Sequence, residues 1–331
     1  MAIVIEPVVH YFPLSSGQYV IKPGFYRLGH DFGNGAADRR LFQLDRQFAD
    51  YRQAKHAARA ENPDKYICID PDGHRLEPEL NRFLIRQLIA EYPGYFRLHQ
   101  TSNRQQLDCL LSGDTLQFTD AGQYLGCRPG DETLAMSYAG GLDALAMQIQ
   151  EDLALIWLSG EENRLCAIHL CQPNHWDPRD KIGRDFIQIH APVPGMERIN
   201  THALQLLQAC LQQGPFVRFA WGIATDERLN HHPEPPGGVA PELWQGREFD
   251  AANPAAWLRV ERQTLYGLQS INAVLFGIRT YHYPVATLSA TEQCLLSQAL
   301  ETMPTASQHY KGLAGRQRDL LHWLHNLCDA S

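Results

Sequence analysis

The spacing of apolar residues divides the chain into a helical beginning, a strand-rich middle and a helical end. Aromatic and apolar positions recur every three residues between 45 and 61, which predicts an amphipathic helix that ends at Asn62-Pro63. A second amphipathic helix is predicted over 78–91, and a short one over 142–149. The first half of the chain is therefore mainly helical, apart from a stretch of little periodicity between Gln100 and Tyr138.

Strand-type patterns dominate from about residue 150 to 283. Apolar or alternating runs, rich in β-branched and aromatic residues, predict strands at 153–158, 165–171, 186–190, 216–223, 257–263 and 273–281. The first two runs flank a Ser159–Asn163 turn, as expected of a hairpin. Together these segments predict an antiparallel sheet of five or six strands.

Helices return around and after these strands. A helix is predicted over 202–212, and a Pro/Gly-rich loop over 231–238. Ser289 and Glu292 form the sequence signature of a capping box, which opens a helix that ends near Glu301. A last helix is predicted over 317–327. The fold class expected from this order is α+β, an antiparallel sheet core flanked by N- and C-terminal helices.

We expect three regions. Residues 1–140 form a helical and irregular part that packs on the core, residues 141–285 form the core, and residues 286–331 form the C-terminal helices. A chain of 331 residues is long enough to bury a core without metal or disulfide support.

Charge and cysteine usage narrow the classes of function. The net charge of −8, with no cluster of Lys and Arg, argues against a nucleic-acid partner. No signal peptide or apolar run of membrane-spanning length is visible, which predicts a cytoplasmic protein without membrane contact. The eight cysteines are scattered without a CxxC pair and are expected to be reduced.

The segment from His169 to Pro194 is the richest in groups that could carry chemistry. It contains three histidines and several basic residues, and prolines restrict its backbone. His190 stands out because it ends a predicted strand and is followed by Pro192 and Pro194. A fixed imidazole can ligate iron, and Lys181, Arg184 or Arg198 could pair with carboxylates.

The same residues allow other interpretations. His190 could simply form a hydrogen bond inside the core, with the basic residues in a solvated loop. Zinc held by His169, Cys171 and His175 is another hypothesis, although the spacing is not that of a usual zinc site. Glu261 and three arginines on apolar strands (Arg259, Arg262 and Arg279) predict a charge network with or without a ligand.

Four segments resemble the haem-dependent oxidative N-demethylases, specifically the haem-binding PAS-type subunit of bacterial dimethylamine monooxygenase. They are Gln150–Leu153, Trp176–Pro194, Arg259–Leu265 and Phe276–Tyr281. Weaker similarity lies at Asp45–Asp64 and Tyr310–Leu313, so the resemblance covers roughly residues 24 to 327. The chain lacks the motifs of P-loop proteins, kinases, GxSxG hydrolases and HExxH metalloproteases.

The resemblance implies a PAS-like fold that binds haem b and oxidises a methylamine such as dimethylamine, with release of formaldehyde. Carried onto this sequence, it makes His190 the iron ligand and Lys181, Arg184 and Arg198 candidates for propionate contacts. Arg262 and Arg279, with Glu261, become candidates for support of the site or for polarity on the substrate side.

The resemblance also implies partner subunits. The chain carries no flavin, nicotinamide or iron–sulfur signature, so electrons would come from a separate flavin/[2Fe–2S] reductase. A folate-dependent subunit that accepts formaldehyde is a further expected partner. A haem or small-ligand sensor without enzymatic activity is the main alternative, because a fold does not fix a function, and a zinc hydrolase is the other.

Overall fold

A computed structural model describes residues 3–131, 137–246 and 248–329. Its strands are β1 (Tyr26–Arg27), β2 (Ile67–Ile69), β3 (Phe96–Gln100), β4 (Arg104–Cys109), β5 (Thr115–Thr119), β6 (Tyr124–Arg128), β7 (Asp152–Ser159), β8 (Glu162–His169), β9 (Phe216–Ala224), β10 (Trp257–Leu268) and β11 (Ala273–Pro284). Its α-helices are α1 (Phe48–Glu61), α2 (Pro71–Glu91), α3 (Gly141–Ala146), α4 (Phe186–His190), α5 (Glu197–Asn200), α6 (Ala203–Gln213), α7 (Pro241–Trp244), α8 (Ala290–Glu301), α9 (Thr305–Tyr310) and α10 (Gln317–Asp329).

Two antiparallel sheets organise the described part of the chain. The large sheet has the strand order β1-β9-β10-β11-β7-β8-β2, and the small sheet is the meander β3-β4-β5-β6. The structure therefore combines helices with antiparallel sheets, as predicted. Two strands of the large sheet, β1 and β2, come from the first 140 residues. The three-region division of the chain stays a prediction.

The expected strand at 186–190 is wrong, because this segment forms helix α4. The Asp185 carboxylate accepts a hydrogen bond from the Gln188 backbone N–H at 2.7 Å, and the Gln188 side chain accepts one from the Asp185 N–H at 3.1 Å. This reciprocal capping box starts a helical turn at Phe186. An apolar run of five residues cannot distinguish a strand from one helical turn.

Two other expectations need correction. The stretch of little periodicity between Gln100 and Tyr138 contains most of the small sheet, whose polar strands bury only a few apolar residues such as Leu107 and Phe118. Helix α2 begins at Pro71 rather than Pro78, because Asp70 caps it by accepting from the Gly73 N–H at 2.8 Å. Pro78 is accommodated inside the helix.

The long hairpin of β10 and β11 defines two faces of the large sheet. Their register pairs Arg262 with Arg279 on one face, and Glu261 with Thr280 on the other. Side chains of a strand alternate between faces, and directly opposed residues share a face. We call the face of Arg262 and Arg279 the packed face, and the face of Glu261 and Thr280 the cavity face.

The packed face is closed by apolar side chains on both halves of the sheet. Helices α2 and α3 cover one half through residues such as Leu84 and Leu142, which cluster with Leu155 and Leu275. The N-terminal segment and helices α8 and α10 cover the other half, where Val260 belongs to their cluster. These two apolar clusters on the packed face account for most of the core. They do not cover the opposite face of the sheet, the cavity face.

Helices α8 and α10 pack together at the C-terminal end. The capping box predicted at Ser289 and Glu292 is present, and α8 ends at Glu301 as expected. Cys294 and Cys328 form a disulfide with their Cα atoms 5.5 Å apart, so the expectation of reduced cysteines is wrong for this pair. The helix packing brings together two cysteines that are distant in sequence. Among the described residues, none of the helices combines the length and the apolar character needed to cross a membrane.

Candidate functional site

The cavity face is covered by the chain between β8 and β9. Ile182 and Ile189 of this connection pack with Ile278 of β11, and Phe186 of α4 joins a second cluster with Phe276 and with Leu207 of α6. The cover is incomplete, because Ile156, Glu261 and Phe276 keep accessible surface although they lie on central strands. We call this partly accessible region between the sheet and α4, which is lined mainly by apolar side chains, the apolar recess.

His190 lies at the end of α4 against this recess. Its Nδ1 is 2.8 Å from the Phe186 carbonyl oxygen, and its ring contacts the Phe186 ring at 4.1 Å between centroids. Since a carbonyl can only accept, Nδ1 carries the proton and Nε2 holds a free lone pair. Nε2 has no hydrogen-bond partner among the described residues.

The surroundings of His190 favour its neutral form. Burial is the largest cause that lowers its pKa, and the positive charges of Arg218 and Lys181 lower it further, against the opposing effect of the Phe186 carbonyl. A neutral imidazole with a protonated Nδ1 and a free Nε2 is the arrangement of a histidine ligand to a metal.

Arg218 of β9 is a second group of the cavity face. It pairs with Gln263 of β10, whose side chain points to that face two positions from Glu261. Its Nε is buried without a hydrogen-bond partner, and none of its nitrogens has an ion-pair partner in the part of the chain that the structure describes. Burial is the largest influence on its pKa and lowers it.

The three basic residues predicted beside His190 occupy different environments. Lys181 donates from Nζ to the Ile189 carbonyl at 2.9 Å, which ties it to the helix that carries His190. Arg184 and Arg198 are exposed. Their distances to a bound group are not fixed by these contacts, so their role in propionate binding stays a proposal, with Lys181 the best placed of the three.

A polar network occupies the other end of the cavity face. The Arg259 guanidinium donates to the Gln172 carbonyl at 2.6 Å, to the Leu229 carbonyl at 2.8 Å, and to Glu261 Oε1 at 3.4 Å. Gln263 donates to Glu261 Oε2 at 3.0 Å. The Glu261 carboxylate is therefore held in place at the edge of the apolar recess.

Several imidazoles continue this network. His282 Nε2 lies 3.5 Å from Arg259 NH1 and must accept, because a guanidinium only donates. The ring of His231 stacks on those of His175 and His282, at 5.1 and 6.3 Å between centroids, and its Nε2 is 2.9 Å from Asp226. Burial and then Arg259 lower the pKa of His282 well below its usual value. Neutral histidines thus line this end.

Arg262 and Arg279 lie on the packed face, where protein groups already bind them. Arg262 donates to the carbonyls of Arg40 and Leu41 at 2.8 and 3.3 Å. Arg279 donates to Asp45 Oδ2 at 2.8 Å and lies 3.9 Å over the Tyr51 ring. These contacts support the fold beneath the site, and the proposals below do not place either residue against the cofactor.

The structure brings together only two of the three residues of the zinc hypothesis. His169 and Cys171 lie with Asp152, all buried, whereas His175 stacks on His231. His169 Nε2 is 3.1 Å from Asp143, and Lys55 Nζ lies 3.8 Å from Asp152. Because a buried lysine already supplies positive charge here, this cluster is explained by internal pairing without a metal ion.

Sequence reasoning missed Arg218 and most of the apolar lining. Arg218 is one basic residue in the apolar run Phe216–Ile223, and this pattern alone does not show which face is open. A signal was present, since a charge in the middle of an apolar strand needs a partner. Applied to Arg218 as it was to Arg259 and Arg262, this rule would have found it.

The fold and the site define a mixed α/β protein with a ligand-ready histidine over an apolar recess of an antiparallel sheet. A family model described as haem-dependent oxidative N-demethylase, alpha subunit-like, matches residues 34–321. Since this match covers most of the 331 residues, the chain belongs to that family. The resemblance inferred from the motifs is confirmed, and haem is the cofactor, consistent with haem b.

The residues present fit such a cofactor. His190 offers an unbonded Nε2, Ile156 and Phe276 offer apolar surface for a porphyrin, and the buried Nε of Arg218 lacks a partner. The family description also makes the chain alpha-subunit-like, which implies that it works with other subunits.

Proposed function

We propose that this protein is the haem-binding catalytic subunit of an oxidative N-demethylase that acts on a small methylated amine such as dimethylamine. The observation that carries the proposal is the state of His190, whose Nδ1–H is held by the Phe186 carbonyl while Nε2 is free beside the apolar recess. Family membership supports the reaction class. The sheet with helices over one open face is compatible with a PAS-like core, which we include in the proposal.

Each group of the site has a separate task in this proposal. Haem supplies the centre at which O₂ is activated and an N-methyl group is oxidised. Nε2 of His190 would hold the haem iron, and the capped turn of α4 fixes the imidazole ring. Ile156, Ile278 and Phe276 limit the access of water. Glu261 places a negative charge where the cation of an amine can be attracted.

The balance of the reaction requires a partner. Conversion of an N-methyl group and O₂ into formaldehyde, the demethylated amine and water consumes two electrons and two protons. We propose that a separate flavin/[2Fe–2S] reductase subunit supplies the electrons, and that a folate-dependent subunit accepts formaldehyde. Turnover of the isolated chain with a reduced nicotinamide alone would contradict the need for that reductase.

The test is an absorption spectrum of protein produced with sufficient iron and haem precursor. We expect a Soret band in the parent that is lost or strongly shifted in His190→Ala, in both oxidised and dithionite-reduced forms. His74→Ala is the matched control, because His74 is exposed on α2. A parent without a Soret band after addition of haem would refute the proposal.

A rescue experiment separates ligation from folding. In His190→Gly, added imidazole can occupy the space of the missing ring and restore the band if the ring is the ligand. Formation of formaldehyde from dimethylamine with an added reductant then distinguishes the enzyme from a haem sensor. Haem binding without any spectral response to amines, and without formaldehyde, would favour the sensor.

A further inference from the structure

Arg218 is a half-buried cation that has no ion-pair partner among the described residues. Its Nε is fully buried without an acceptor, and the structure gives the guanidinium no hydrogen bond or ion pair within the described residues. The nearest negative charge that acts on it belongs to Glu261, but their polar atoms do not approach within ion-pair distance. Glu261 is already bound by Arg259 and Gln263.

The other neighbour of Arg218 cannot supply a negative charge. Cys210 of α6 is completely buried, and burial raises the pKa of its thiol to about 12, so the sulfur stays protonated at neutral pH. A cation whose Nε reaches neither water nor an acceptor is unfavourable to a folded protein, which disfavours a purely structural role for Arg218. The geometry therefore points to an anionic partner for Arg218 that is supplied by a bound molecule.

The position of Arg218 limits what that anion can be. It lies on the cavity face two residues from Phe216, and Phe216 packs in one cluster with Phe186 of α4, the helix that carries His190. A planar guanidinium binds carboxylates with two parallel hydrogen bonds. A group bound at His190 therefore brings its acidic side chains within the reach of Arg218.

We propose that Arg218 is the counter-ion for a carboxylate of the bound cofactor, a propionate of the haem. This assignment rests on the proposed function, because it needs haem at His190. It differs from the sequence-based expectation, which named Lys181, Arg184 and Arg198. Lys181 remains a second positive charge near His190, whereas Arg184 and Arg198 are exposed.

The proposal makes an unusual joint prediction for Arg218→Met, which keeps an unbranched apolar stem but removes the charge. The cofactor-free variant should unfold at the same temperature as the parent or higher, because a half-buried cation without an ion-pair partner is gone. The haem-loaded variant should release haem to an excess of an apo-globin acceptor roughly ten- to a hundredfold faster, the effect of losing a charged hydrogen bond.

Two comparisons make the experiment specific. Arg104→Met removes an exposed arginine of the small sheet and should leave the rate of haem loss unchanged. Haem dimethyl ester, which lacks both carboxylates, should be lost at equal rates from the parent and from Arg218→Met. Equal rates with unmodified haem would overturn the assignment, and so would a cofactor-free variant that is much less stable than the parent.

The source of the carboxylate is tested in the same preparations. If Arg218→Met keeps haem normally but loses a Soret response to N,N-dimethylglycine that the parent shows, the anion belongs to a substrate and the propionate assignment is overturned. A parent that binds no haem would instead refute the proposed function. The two failures are therefore distinguishable.

Discussion

Replacement of Arg279 by Met should destabilise the protein strongly without releasing the cofactor. Arg279 is completely buried on the packed face and donates to Asp45 at 2.8 Å and to the Thr280 carbonyl at 2.6 Å. It also lies 3.9 Å over the Tyr51 ring and 4.4 Å over the Tyr281 ring. Removing it leaves the buried Asp45 carboxylate without its cation.

The magnitude follows from these contacts. Breaking a buried ion pair by removing one partner costs about 3–5 kcal/mol. Asp45 Oδ1 keeps hydrogen bonds from the Gln47 N–H at 2.9 Å and the Gln150 amide at 3.0 Å. These bonds partly compensate for the loss of the Arg279 cation. We therefore expect a decrease of about 3 kcal/mol in the free energy of unfolding. The double variant Arg279→Met with Asp45→Asn should recover part of the lost free energy of unfolding, since the unpaired Asp45 carboxylate is then removed.

The assay is urea denaturation of the cofactor-free protein, followed by the haem-loss rate of the loaded protein. Arg97→Met is the control for loss of an arginine, because Arg97 is exposed on β3 of the small sheet. The reasoning fails if Arg279→Met loses less than about 1 kcal/mol, the range of surface ion pairs. It also fails if that variant keeps its stability but releases haem rapidly, since Arg279 would then act at the cofactor.

Two further predictions concern other parts of the fold. Burial, followed by Arg52 and Arg59, lowers the pKa of His56 from 6.5 to about 4, so the unfolded state takes up a proton first and stability falls as pH decreases from about 6.5 to 4. Between these pH values the free energy of unfolding of His56→Gln should decrease by up to about 3 kcal/mol less than that of the parent, as measured by urea titrations at each pH. Parallel pH profiles of the two proteins would contradict the lowered pKa of His56. Gly73→Ala should destabilise by about 1–3 kcal/mol, because its Cβ would meet the Cys166 carbonyl oxygen at 2.2 Å and separate α2 from β8. Gly94→Ala, with no atom within 4 Å of the new Cβ, is the matched control, and equal melting temperatures of the two variants would contradict the clash.

Long periodic segments of the fold were predictable from sequence, and short or polar ones were not. The amphipathic pattern of α1 and the apolar runs of β7, β9, β10 and β11 each specify one structure over many residues. Helix α4 depends on the Asp185–Gln188 capping box rather than on periodicity, so its five residues were assigned to a strand. The small sheet was not predicted because its strands carry mostly polar side chains.

For the site, sequence identified the segment and the histidine but not the geometry around them. The segment that carries His190 was visible from its motifs, and its environment is compatible with ligation. The separation of Arg262 from Glu261 by the sheet follows from strand alternation. Which face is open depends on how α4 and α6 cover the sheet, a tertiary property that no local pattern encodes.

The register of the β10–β11 hairpin also separates two kinds of change that the protein can undergo. Substitutions at alternate positions, such as Glu261, Gln263 and Ile278, change the cavity face. Arg262 and Arg279 keep their contacts on the packed face. An insertion of one residue within β11 is a different event, because the residues beyond it would exchange faces. Specificity can therefore be altered by replacing residues on the cavity face of this hairpin. Adding or removing one residue within a strand would instead disrupt the cavity face and the packed face together.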